Sequence, residues 1–129
     1  ALALWAAASL LAGTTLYAVL AARNTRSALL ASFAAVTAGW GVAELIAVAA
    51  AWPALALRDL AGATRLDRFL WLETGLDMGV IAIGITLAVT AWRLGRRLDG
   101  VGAGMGTVVQ GAVLLALHIR LVMHISGLA

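Results

Sequence analysis

Trp71-Leu72-Glu73-Thr74-Gly75-Leu76-Asp77-Met78-Gly79 sets two carboxylates inside a run that otherwise reads as a membrane-spanning helix. A charged side chain at mid-bilayer costs about 2.5–3.5 kcal/mol on insertion scales, so such groups face a bundle interior or a cavity and find a partner there. The stretch therefore predicts a fold in which other helices carry polar groups to Glu73 and Asp77.

The rest of the chain is built for the same solvent. Of its 129 residues 64% are hydrophobic and 12% charged, with a mean hydropathy of +1.03, against about 45–50% apolar and about 25% charged in soluble domains. The basic residues are nine arginines and no lysine, against six acids, too few to line a nucleic-acid surface, so nucleic acid is set aside as a partner. The absence of cysteine rules out a disulfide framework, a thiolate metal site and a cysteine nucleophile. The bias toward Ala, Leu, Val, Gly and Arg resembles that of proteins from GC-rich bacterial genomes.

Four apolar segments, at about residues 1–22, 27–52, 67–92 and 101–125, each approach the ~20 residues that a helix needs to cross a ~30 Å hydrocarbon core. Lipid excludes open sheet edges, and four segments cannot close a barrel. The expectation is an all-α integral membrane four-helix bundle, one transmembrane domain over residues 1–129, with the lipid bilayer as its first partner. The opening apolar run exceeds a signal-peptide h-region and follows no basic segment, so it too is read as a span.

In the first span Ser9, Gly13 and Tyr17 form one stripe of small and polar residues suited to close packing. Residues 23–26 are too short for anything but an antiparallel turn, and Ser27 is placed to cap the second helix. There Thr37, Trp40, Gly41 and Glu44 share a face. Trp52-Pro53 ends that helix, and residues 54–66 read as a short amphipathic piece at the headgroups, with Thr64 and Asp67 as a capping box for the third span. In the third span Glu73 and Asp77 lie about 40° apart with Gly84 on the same side. Gly75 and Gly79 lie roughly opposite, a small-residue surface that would place this helix between two neighbours. Residues 99–106 alternate glycine, but no strand precedes them and the Gly-Lys-Ser/Thr of a phosphate loop is missing, so they read as a flexible or closely packed helix start. In the fourth span Gln110, His118, Arg120 and His124 fall within an arc of about 160° and are expected to point inward.

Counting depth at about 1.5 Å per residue puts Glu44, Glu73, Asp77, His118 and Arg120 at one level, with Gln110 deeper toward the other side. Five arginines flank the first and third connectors and three the middle one, so the positive-inside rule makes the five-arginine side cytoplasmic and both termini external. The function expected is that of a small non-enzymatic polytopic membrane protein whose acidic, His and Arg group stabilises the bundle or its assembly with itself or a larger membrane complex. A second reading is a proton-coupled or polar-ligand binding or transport protein acting as an oligomer, with Glu44, Glu73, Asp77, Gln110, His118 and Arg120 as binding residues. A third is a haem, pigment or metal protein using His118 or His124. Against a metal, the Glu-x-x-His signature of di-iron bundles is missing, and the two histidines point about 120° apart.

Gly75-Leu76-Asp77-Met78-Gly79 with Gly84, then Gly102, Gly104, Gly106 and Gln110-Gly111-Ala112-Val113-Leu114-Leu115, resembles a family of small uncharacterised bacterial four-helix membrane proteins. That family carries G-L-D-x-G in helix three and Q-G-x-x-L-L in helix four. The sequence departs from the pattern at Val80, where the family has Tyr, and at His118, where an acid is commoner. The resemblance implies no activity; it implies that Asp77 and Gln110 belong to a shared core constellation.

Overall fold

The computed structural model describes residues 1–51, 60–125 and 127. They form α1 (Leu2–Ala22), α2 (Ala28–Ala51), α3 (Leu60–Arg93) and α4 (Leu98–Ile125). All four contain windows long and apolar enough to cross a membrane, so the chain has the makings of a multi-pass membrane protein. The boundaries agree closely with expectation for α1 and α2, and the Ser27 hydroxyl accepts from the Leu30 N–H at 3.3 Å as a helix cap should. Trp52-Pro53 and the first part of the expected amphipathic piece lie outside the described residues.

Two boundaries differ. α3 starts at Leu60, so Thr64 and Asp67 stand inside the helix and do not open it. The alternating glycines of residues 99–106 are helical, forming the first turns of α4. Glycine costs about 1 kcal/mol per residue in a helix relative to alanine, and here the cost is offset by backbone contact. A Cβ on Gly102 would run into the Leu29 carbonyl of α2, and one on Gly104 would come within 2.6 Å of Ala88 N and Gly84 O of α3. One helix thus packs closely against two neighbours.

These contacts also give the topology. Gly13 meets Ala34 and Ala38 while Gly41 meets Ala6 and Leu10, so α1 and α2 are antiparallel. Gly84 meets Gly104 and Gly111 meets Ile81, so α3 and α4 are antiparallel, whereas Gly102 against Leu29 and Gly106 against Phe33 make α2 and α4 parallel. The main packing runs α1 on α2, α2 on α4 and α4 on α3. α3 is therefore an outer helix. Its buried positions Leu70, Thr74, Asp77, Gly84 and Ala91 form one stripe toward α4. Gly75 and Gly79 are exposed, and a Cβ on either would meet nothing within 4 Å. Among the described residues the expected second neighbour on that face is not there.

Polarity is inverted relative to a soluble bundle. The buried apolar residues are mostly small (Ala6, Ala34, Ala91, with Leu70, Leu114 and Val122), while Leu4, Ile46, Leu72, Met78 and Ile83 are exposed. Buried among the small residues are Ser9, Thr37, Glu44, Thr74, Asp77, Gln110 and His118. In water the outer leucines and isoleucines would form one large sticky surface; in lipid they match the solvent, and close approach of small residues supplies the attraction between helices.

Candidate functional site

The buried polar side chains fall into two layers about 12 Å apart along α4, the eight residues from Gln110 to His118, with buried Leu114 between them.

The inner layer is centred on Gln110, which is 0% exposed. Its Oε1 accepts from Trp5 Nε1–H of α1 at 2.9 Å, and its Nε2 donates to the Ser9 hydroxyl at 3.2 Å. The side chains of α1 and α4 therefore meet through polar contacts. Ser9, expected only to pack, is a hydrogen-bonding partner here, and Trp5 carries no expectation from its sequence position. The one signal in the sequence is chemical, since a partly buried indole N–H gains from an acceptor.

The outer layer joins three helices. His118 Nδ1 of α4 and Asp77 Oδ2 of α3 share a hydrogen bond at 2.6 Å, with both side chains buried. Thr74, one turn before Asp77, satisfies its hydroxyl on the Leu70 carbonyl at 2.8 Å and leaves Asp77 to His118. Glu44 of α2 is 8% exposed and stands within electrostatic reach of both Asp77 and His118. Gly41, one turn before Glu44, brings α2 against the backbone of Ala6 and Leu10. Both Glu44 carboxyl oxygens are shielded and have no hydrogen-bond partner among the described residues, and the same holds for the Thr37 hydroxyl below it on α2.

Four of the six expected site residues are thus buried, and three of them form the outer layer. The other two differ from expectation. Arg120 is exposed, because two residues at about 100° each turn it about 200° away from His118; the group facing Asp77 is His118. Glu73 is half-buried at the margin of the α3 stripe, about 40° off the line of Asp77. His124 is exposed. Among the described residues no group of three His, Cys, Asp or Glu side chains is arranged to hold a metal ion.

No curated protein and no solved structure is significantly similar to the chain. The family of unknown function DUF6992 matches residues 1–119, which takes in all four helices up to the turn that holds His118. The chain belongs to that family of unknown function, DUF6992.

Proposed function

We propose that this is a non-enzymatic multi-pass membrane protein that binds a proton, or a small polar species in its place, at Glu44 beside the Asp77–His118 pair. The observation that carries the reading is the Glu44 carboxyl, buried with neither oxygen hydrogen-bonded among the described residues. A network kept only to fix helix packing gains from having every buried polar atom paired, because each unpaired one costs about 1–3 kcal/mol. A carboxyl held without a partner is a poor lock and a ready acceptor. Its neighbours supply the rest of the chemistry. Glu44 stands within electrostatic reach of two further ionisable side chains, Asp77 and His118, and in a low-dielectric interior a change of charge on any one of the three is felt by the others.

The locking role fits the inner layer instead, where Trp5, Ser9 and Gln110 satisfy one another across two helices. Charge bias supports an orientation with the five-arginine connectors in the cytoplasm and both termini outside. Because the chain contains no cysteine, Asn24→Cys and Gly127→Cys each introduce a single reporter. A membrane-impermeant thiol reagent applied to intact cells should label the second and not the first; the reverse pattern would invert the topology.

The function is tested on the protein in nanodiscs in weakly buffered solution with a pH dye, which reads the protons that the protein itself binds. Wild-type protein should take up protons on an imposed pH step, and Glu44→Gln should abolish that uptake while the helical circular-dichroism spectrum stays unchanged. Uptake equal to wild type in the folded variant would end the proposal.

A further inference from the structure

The polar layers lie in the half of the bundle near the N-terminus. The opposite end carries a different feature. The antiparallel α1–α2 and α3–α4 pairs and the parallel α2–α4 pair bring both connectors to one end, and with them Arg23, Arg26, Arg93, Arg96 and Arg97, all exposed. One carboxylate, Asp99, stands among them, 3.8 Å from Arg97. The α1–α2 connector turns through Asn24 at φ 50, and the α3–α4 connector through Gly95 at φ 99 and Arg96 at φ 55. These left-handed residues close each turn tightly and keep the guanidinium groups beside the helix ends.

Two aromatic residues fix the level of this end. Trp92 is half exposed and the Arg96 guanidinium lies over its ring, 4.8 Å from the centroid. Tyr17 is also half exposed and borders a notch of about 190 Å³ between α1, the connector and α2. The notch is lined by apolar Leu20 and Ala21 of α1 and by polar Asn24, Thr25 and Arg26 of the connector beyond its end. That order along the helix, apolar first and arginine outermost, follows that of a phospholipid in the bilayer, with acyl chain below and a charged phosphate above.

We propose that this notch seats the headgroup of one anionic phospholipid. Arg26 pairs with its phosphate, the Tyr17 hydroxyl and Asn24 lie within the same recess, and the other arginines draw the lipid to this end. Arginine is suited to the task, since its planar fork matches two phosphate oxygens and it is less strongly hydrated than an ammonium. Charge complementarity is what selects lipid as the occupant: five cations against one acid, level with two interfacial aromatics, at the ends of spans that stand in a bilayer. The proposal does not depend on Glu44 or on what the outer layer binds.

The test is lipid retention. Protein released from nanodiscs of equal phosphatidylglycerol and phosphatidylcholine is examined by native mass spectrometry for the lipid it keeps. The wild type should keep phosphatidylglycerol in preference. Arg26→Gln with Tyr17→Phe should lower that preference about fivefold or more, the effect of removing one basic residue from a charged membrane surface. Arg65→Gln with Arg68→Gln, at the other end of α3, should leave it unchanged. Circular dichroism checks that both variants remain helical. Equal retention of the two lipids by the wild type, or equal loss of preference in both double variants, would overturn the site. Displacement of the lipid by millimolar inorganic phosphate would overturn the assignment to a phospholipid.

Discussion

The two polar layers differ in one respect that separates holding from binding. Around Gln110 the amide uses both its oxygen and its nitrogen, on Trp5 and Ser9, and nothing on it is exposed. Around Asp77 and His118 one strong hydrogen bond is made, while a third ionisable group, Glu44, is buried with neither oxygen hydrogen-bonded among the described residues. A satisfied layer rigidifies a bundle whose helices otherwise meet through apolar and glycine contacts. An incompletely satisfied one stores a group that gains by meeting a proton or a ligand, and natural proteins keep such destabilised groups where function needs them.

The comparison is broken most severely by removing the scaffold that both layers share. Gly104→Leu drives a side chain into the backbone of Gly84 and Ala88, so α3 and α4 cannot approach. Purified in detergent, the variant should lose its monodisperse elution and its cooperative melt. Next comes the made bond of the outer layer. Asp77→Ala leaves a buried imidazole without its hydrogen-bond partner, and breaking a buried pair on one side costs about 3–5 kcal/mol, which should appear as a large fall in Tm. Gln110→Ala removes the acceptor of Trp5 and the donor to Ser9 and should cost about 1–3 kcal/mol, with proton uptake retained. Glu44→Leu should do the opposite on both counts. Deleting an unpaired buried carboxyl should raise Tm, by about 1 kcal/mol of stability on the scale of burying an unsatisfied polar group, while uptake is lost. Smallest of all, Arg120→Gln on the exposed side of α4 should change stability by no more than about 0.5 kcal/mol. A Glu44→Leu variant that melts lower than wild type would make Glu44 part of the lock and remove the contrast between the layers.

Much of this architecture was legible before any coordinates, and the limits have physical causes. Span length and mean hydropathy fix four helices, because lipid leaves the backbone no alternative. The 3.6-residue period places Thr37, Gly41 and Glu44 on one face of α2, and depth counting brings Glu44, Asp77 and His118 together. Periodicity gives angles about one axis, however, and does not say which helix stands in the middle. That α4 lies between α2 and α3 follows from Gly102 facing one neighbour and Gly104 the other; the period sets these two glycines about 200° apart but does not say that each opposite face meets a helix. For the same reason Gly75 and Gly79 read as a contact surface although α3 is an outer helix. A 160° arc is too wide to be one face: His118 and Arg120 stand at its opposite edges, and at their level only the His118 edge meets α3. Trp5 lay beyond reach because its partner is 105 residues away, and only the gain of a partly buried indole from an acceptor points to it.

The central claim, that Glu44 exchanges a proton inside the bundle, is tested most directly by infrared difference spectroscopy of the protein in lipid across a pH titration. The account predicts a carboxylic-acid carbonyl band that titrates in the wild type, survives in Gln110→Ala and is missing in Glu44→Gln. A titrating band of the same amplitude in Glu44→Gln, or no titrating band in the wild type, would contradict it.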